Sequence, residues 1–282
     1  MNYFIVNPIS GKFSKKQRAA LFDLIASDTN NVLWKTTIQN NASKLAIKAL
    51  EKNASKIIAV GGDGTINEVG SVLAGTSFEM GIIPLGSGNG LARHLQLPLN
   101  IKEAYEKSLN GNPIAIDAGV INDKYFFCTA GFGFDALVAN RFAKRKHRGL
   151  YNYIIATLWS LFGYRPIKIQ VNGEPQTLFS LSIANANQFG NNAFISPFSN
   201  IQDGTLESVA ISKLNLLEAA MISIRLFTKT IGASKKVSID SFKEIHIECP
   251  EGSYLHMDGE ALKVPATQLT IKIAPQCLRV LV

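Results

Sequence analysis

The stretch Ile57-Ile-Ala-Val-Gly-Gly-Asp-Gly-Thr-Ile-Asn-Glu-Val69 decides the fold of the first half of the chain. Ile57–Val60 is an uninterrupted apolar run, the pattern of a strand buried on both faces. Gly61, Gly62 and Gly64 break it, and Ile66, Val69 and Leu73 then recur at helical spacing. Thr65 and Glu68 stand three apart, which predicts a capping box at that helix start. A strand that turns through glycines into a helix suits phosphate. Glycines let the backbone approach a bulky anion, and the helix start offers amides and the positive end of its dipole. Neither a Walker A lysine nor a GxGxxG pattern is present. Three glycines alone serve a tight turn equally well. Asp63 tips the reading, because an acid beside phosphates makes sense when a metal ion lies between them.

Working outward, Ile82-Ile-Pro-Leu-Gly-Ser-Gly-Asn-Gly-Leu-Ala-Arg93 repeats the design. An apolar strand meets Gly86 and Gly88, with Ser87 and Asn89 at the turn, and a helix is predicted to start near Asn89. Two such turns at the carboxyl ends of neighbouring parallel strands flank one crevice, where open α/β sheets bind ligands. Tyr3–Val6 and Val32–Trp34 read as further strands, and Ser14-x-x-Gln17 as a capping box before a helix carrying Leu21, Leu24 and Ile25. Ala42–Leu50 is a helix by the same spacing. This alternation predicts an α/β domain with a parallel sheet over residues 1–116.

After residue 116 the period becomes two. Ile167, Ile169 and Val171 alternate with polar neighbours, as do Ile245 and Ile247, then Leu269, Ile271 and Ile273. A β-rich domain with an antiparallel sandwich is expected over 117–277, interrupted by helix near Asp135–Leu161 and Leu216–Phe227. Leu278–Val282 reads as one more strand and is a candidate to return to the first domain.

The length of 282 residues fits two domains of about 150. With 46% apolar and 18% charged residues the chain is globular rather than disordered. Its net charge of +8 favours anionic partners without choosing among them. Cys128, Cys249 and Cys277 make no CxxC pair, so neither a disulfide framework nor a zinc site is expected. The opening MNYFIVNPISGK lacks the pattern of a signal peptide. The longest nearly apolar stretch, Tyr153–Phe162, is well short of the ~20 residues of a membrane span. A cytoplasmic protein is the expectation.

Together, GGDGTINEV (61–69) and PLGSGNGLARHL (84–95) resemble the catalytic domain shared by bacterial diacylglycerol kinases and by sphingosine and ceramide kinases. Val6-Asn-Pro-Ile-Ser-Gly-Lys12 looks like the opening segment of that family, and Ile116-Asp-Ala-Gly119 like the entry to its second domain. Pro197-Phe-Ser-Asn-Ile-Gln-Asp-Gly204 with Leu206-Glu207, and Met257-Asp-Gly-Glu260, complete the ordered set. The resemblance implies a nucleotide domain of the NAD kinase and phosphofructokinase type, a β-rich lipid-substrate domain, and MgATP as donor. Carried over by position, Asn7, Thr36, Gly61, Gly62, Asp63, Gly64, Thr65, Asn67, Glu68, Gly86, Ser87, Gly88 and Asn89 would bind ATP. Asp63 would hold the nucleotide magnesium through water. Asn200, Asp203 and Thr205 would serve a second magnesium. Asp258 would be the general base, with Glu260 orienting it or reaching a metal. The GSGNG turn departs from the GTxND-like turn of the bacterial diacylglycerol kinases and is closer to the sphingoid enzymes, so the lipid stays open.

Asp258-Gly259 is also a favoured hairpin pair. Asp117 and Asp135 read as surface or capping residues, and His256 as structural. Arg141, Lys144, Arg145, Lys146 and Arg148 form the densest basic run. With Leu150, Tyr151, Tyr153, Ile154, Leu158, Trp159 and Phe162 after it, some of them expected to line the core or a lipid cleft, this segment is a docking candidate for an anionic membrane, each basic group worth about 1 kcal/mol near the surface. The leading expectation is an ATP-dependent lipid kinase acting on diacylglycerol, peripheral at the inner face of the membrane, with a homodimer as a family-level possibility. A sphingosine or ceramide kinase, an NAD kinase, and a silent lipid or nucleotide sensor are the alternatives. No helix-turn-helix or aromatic RNA-binding pattern supports a nucleic-acid partner.

Overall fold

A computed structural model describes residues 1–11, 14–39, 41–143, 150–264 and 267–282. The chain divides into two compact units, Met1–Ile116 with Gln276–Val282, and Asp117–Pro275.

In the first unit, β1 (Asn2–Val6), β2 (Asn31–Lys35), β3 (Lys56–Gly61) and β4 (Glu79–Pro84) alternate with α1 (Lys15–Ala26), α2 (Ala42–Glu51) and α3 (Asp63–Leu73). The short α4 (Gly90–His94) and α5 (Ile101–Asn110) follow. Every strand pair is parallel, in the order β4-β3-β1-β2. Phe4, Val6, Ile58 and Val60 pack under Leu21 and Ile25 of α1 and Ala104 of α5. Ile5, Ile57 and Ala59, on the opposite face, are buried as well. That double burial is why these strands read as continuous apolar runs. The capping box of Ser14 and Gln17 is present.

The box expected at Thr65 and Glu68 is not. Helix α3 starts three residues earlier than that box requires, at Asp63, with Gly62 as its uncapped N-cap. The Glu68 carboxylate instead accepts from the Ala42 amide at 2.7 Å, at the start of α2.

Strand β5 (Pro113–Ile121) leads into the second unit, which contains β6 (Lys124–Phe126), β7 (Thr129–Gly133), α6 (Phe134–Ala143), α7 (Leu150–Leu161), β8 (Ile167–Val171) and β9 (Glu174–Ala184). Then come β10 (Leu206–Ser212), α8 (Leu216–Phe227), a 3-10 turn at Ile231–Ala233, β11 (Val237–Phe242), β12 (Glu244–Glu248), β13 (Tyr254–Met257) and β14 (Glu260–Lys263). Over the described residues, the stretch expected to be helical near Asp135–Leu161 holds α6 and α7. The strands here pair antiparallel as β14-β13-β7-β9, β9-β8-β12 and β9-β10-β11. Leu255, Phe132 and Leu181 line one side of this sheet and enter a core with Ile247, Leu269 and Ile271. On the other side, His256, Gly131, Ser182, Val209 and Ile239 form a cross-strand row.

The last segment is not a separate strand. β15 (Gln268–Leu281) runs through Pro275 without a break. Its first half pairs antiparallel with β12, and Arg279 and Val280 pair parallel with Glu79 and Met80 of β4.

Candidate active site

In the first unit the residues singled out from sequence gather at the carboxyl ends of the parallel strands. Gly61 ends β3, and the Leu85 amide beyond β4 donates to its carbonyl at 2.7 Å. Gly62 caps α3 without any side chain, so the first turn of an 11-residue helix takes no capping side-chain bond from that position. The Gly62 amide donates to Ser10 Oγ at 3.4 Å. A Cβ on Gly86 would lie 2.7 Å from Gly62 Cα, so the two glycine turns are in backbone contact.

Asp63 ties the turns together. Its Oδ1 accepts from the Gly90 amide at 2.8 Å and its Oδ2 from the Asn89 amide at 3.0 Å. One carboxylate therefore opens α3 and caps α4. Asn89 sits in the left-handed region (φ 52°) and donates from Nδ2 to the Gly86 carbonyl at 3.0 Å. Arg93 Nε donates to the Gly88 carbonyl at 3.1 Å, closing the second turn around half-buried Ser87. Asn7 Nδ2 donates to Thr65 Oγ1 at 3.2 Å, and the Thr36 amide to the Val6 carbonyl at 2.9 Å. Gly64 lies in the first turn of α3, while Asn67 Oδ1, one turn on, accepts from Ser71 Oγ at 3.4 Å. Glu68 faces α2. Ser10 was not singled out. Its neighbourhood in the Asn7-Pro-Ile-Ser10 segment is the signal that could have found it.

In the second unit Asp258 occupies the turn between β13 and β14, with φ 48°, followed by Gly259 at φ 82°. The hairpin reading of Asp-Gly therefore describes its backbone. Its side chain does something a hairpin does not need. Oδ1 accepts from the amides of Cys128 at 2.8 Å and Thr129 at 3.1 Å, and Oδ2 from the amide of Phe127 at 2.9 Å. Three backbone donors on one carboxylate fix its direction. Asn185 Nδ2 braces the clamp by donating to the Phe127 carbonyl at 2.8 Å and the Asp117 carbonyl at 3.0 Å. Glu260 begins β14 and is exposed.

Asp135 and Asp117 are not surface residues. Asp135 Oδ2 accepts from Ser182 Oγ at 2.7 Å and lies 3.4 Å from His256 Nε2, while Oδ1 accepts from the Ala136 amide. Gly131 makes room for this cluster, since a Cβ there would fall 2.2 Å from Asp135 Oδ2. Burial first, then the Asp135 charge, pushes the Tyr164 phenol up. Asp117 is fully buried and its Oδ2 accepts from the Gly204 amide at 2.7 Å.

Asn200, Asp203 and Thr205 share one turn. Asp203 Oδ1 accepts from both the amide and the hydroxyl of Thr205, at 3.0 and 2.8 Å, and Asn200 Oδ1 accepts from the Gln202 amide. All are hard oxygen donors of the kind magnesium takes. Among the described residues, no group of three or more His, Cys, Asp or Glu side chains is placed to hold a metal. Beside this turn, burial raises the Glu207 carboxyl above its ordinary value of 4.5. The bond from Ser199 opposes that shift and the Asp203 charge adds to it. The folded state thus binds this proton more tightly than the unfolded one. The stability tied to Glu207 is full below pH 4.5 and is lost as pH rises through the raised value. Glu207→Gln is expected to flatten the fall of the urea midpoint between the acid range and about pH 7. An unchanged slope would assign the fall to another group.

Arg141 donates to the Trp159 carbonyl at 2.7 Å and to Ser160 Oγ at 3.3 Å, tying α6 to α7. Lys144, Arg145, Lys146 and Arg148 lie outside the described residues. Among the described residues no helix is long and apolar enough to cross a membrane.

Comparison with known proteins places this arrangement. Residues 2–121 match the diacylglycerol kinase catalytic domain, and residues 128–282 match the YegS C-terminal NAD kinase beta sandwich-like domain. A diacylglycerol kinase of Mycobacterium tuberculosis is 31% identical over 85% of this chain and 82% of its own. Two solved structures share the fold. A diacylglycerol kinase described as putative, from Bacillus anthracis, aligns over 99% of this chain and 94% of its own with TM-score 0.76 at 21% identity. An NAD kinase from Archaeoglobus fulgidus in complex with ATP aligns over 100% and 94% with TM-score 0.54 at 13% identity. The chain belongs to the diacylglycerol kinase family of lipid kinases.

Proposed function

We propose that this lipid kinase transfers the γ-phosphate of MgATP to the hydroxyl of diacylglycerol, with Asp258 as general base. The observation that carries the reading is the pair of glycine turns locked by Asp63. Phosphoryl transfer asks mainly for positioning and for neutralisation of charge. A helix start without a capping side chain, reached by close-packed glycines, supplies oriented amides for phosphates. Asn7, Thr36, Gly61 to Thr65 and Gly86 to Asn89 would form the nucleotide site, with Asn67 at its margin. Magnesium would neutralise phosphate charge. Asp63 would hold it through water, since both carboxylate oxygens already accept amides. Asn200, Asp203 and Thr205 would take a second magnesium.

Asp258 would accept the substrate proton. The amide clamp keeps its carboxylate aimed, and proton transfer would accompany attack. Glu260 would act next to it. A lipid hydroxyl is reached from a membrane surface, so the enzyme would work peripherally at an anionic leaflet.

The deciding experiment is transfer of labelled phosphate from MgATP to diacylglycerol, sphingosine and ceramide in mixed micelles, with NAD alongside. Label in phosphatidic acid supports the proposal. Label only in a sphingoid lipid would replace the substrate, and label only in NADP would replace the reading.

A further inference from the structure

Helix α8 buries one stripe and leaves a broad apolar face in water. Ile222 and Leu226 pack with Val209 and Ile211 of the sheet. On the opposite side Leu216, Leu217, Met221, Ile224 and Phe227 are 65%, 84%, 53%, 58% and 50% exposed. Contiguous apolar faces of this kind are uncommon on soluble surfaces and mark a contact. The polar groups of the helix are turned to local work. Glu218 caps Asn215 at 2.8 Å and pairs with Lys236 at 3.3 Å, and Arg225 donates to the Thr230 carbonyl at 3.0 Å.

The charge around the face selects its occupant. Between Lys213 and Lys236 stand four lysines and Arg225 against Glu218 alone, a net charge of +4. A second copy across a two-fold axis would set this charge against itself. An anionic lipid headgroup layer would neutralise it while the apolar face enters the acyl boundary. Trp159 of α7 and Phe162 just beyond it are exposed too, and Leu161 of α7 packs in the same cluster as α8. Both helices thus pack on one side of the sheet and turn their exposed apolar residues away from it.

That side is also the one carrying His256. Val209 neighbours Ser182, Ser182 neighbours Gly131, and Gly131 neighbours His256 across the strands. Phe189 spans the two ends, packing in the α8 cluster and meeting the His256 ring edge-on at 6.0 Å. Asp258 follows His256 by two residues.

We propose that the exposed face of α8 is the surface by which this kinase seats on an anionic membrane, on the side of the sheet that carries His256. The inference rests on the lipid-kinase reading of the site. The test is co-sedimentation of the full chain with phosphatidylglycerol–phosphatidylcholine vesicles and with phosphatidylcholine vesicles. The wild-type chain is expected to pellet with the anionic vesicles and to be released by salt. The double variant Leu217→Asp, Ile224→Asp should partition at least about tenfold more weakly. Lys213→Gln with Lys235→Gln should weaken binding and reduce its salt dependence. Both variants should melt like the wild type, because the replaced side chains are exposed, and should phosphorylate a dispersed short-chain diacylglycerol at the wild-type rate.

Equal pelleting of the aspartate variant would overturn the proposal, as would equal wild-type binding to phosphatidylcholine alone. A wild-type dimer that this variant turns monomeric would give the face to a second copy. Failure of the kinase reading is separate: no lipid, the short-chain one included, would take label, whatever the vesicles do.

Discussion

Asp258→Asn is expected to lower turnover by roughly 10²–10⁴-fold, which is about 3–5 kcal/mol of barrier, while ATP still binds. The charge and the proton-accepting oxygen are lost together. The glycine turns proposed to bind nucleotide belong to the other unit. Asparagine also brings an NH2 group toward amides that already donate. Its Oδ1 can still accept from Cys128 and Thr129, but its Nδ2 would face the Phe127 amide. A stability loss of about 1–3 kcal/mol should therefore accompany the kinetic one. The measurements that separate them are single-turnover rates at saturating ATP, nucleotide affinity by titration, and a melting curve. A folded variant that binds ATP normally and turns over normally would remove Asp258 as the base. A variant that loses ATP affinity in step with its rate would make the residue structural.

The clamp on Asp258 illustrates what a sequence cannot display. Its three donors are backbone amides about 130 positions away, and a backbone amide is the same at every residue. The Asp-Gly pair announces the turn and says nothing about the clamp. Glu68 fails in the opposite way. The local S/T-x-x-E spacing is real, yet the carboxylate finds a longer-range partner at Ala42, because α2 packs against α3 and its first amides need an acceptor. Pro275 hides the continuity of β15. Proline ends most strands, so the run before it and the run after it read as two. Strands β1, β3 and β4, by contrast, were readable throughout, because burial on both faces leaves no room for polar alternation. Both glycine turns were readable as well, since their chemistry is local. What joins them, Asp63 reaching 26 residues onward to Asn89, was not.

That junction is where a single methyl group should do the most damage. Gly86→Ala would place its Cβ 2.6 Å from Asn89 Oδ1 and 2.7 Å from Gly62 Cα. The Asn89 side chain can swing, but Gly62 is backbone and caps α3, so relief must come from moving one turn off the other. Overpacking of this kind costs about 1–3 kcal/mol. Here it falls on the amides proposed to hold the phosphates, and misplacement by even 1 Å can cost on the order of 10²-fold in rate. We expect the KM for ATP to rise at least about tenfold and kcat to fall with it, with the lipid KM nearly unchanged. Gly62→Ala should be milder, because its Cβ would meet Gly86 Cα at 3.2 Å. Gly232→Ala supplies the control, since its Cβ would make only an ordinary 3.5 Å contact with Ile239. The expected order of ATP defects is therefore Gly86, then Gly62, with Gly232 at the wild-type value. Wild-type ATP kinetics in Gly86→Ala would mean that phosphate binding does not pass through the contact of the two turns, and the nucleotide site would have to be sought elsewhere in the first unit.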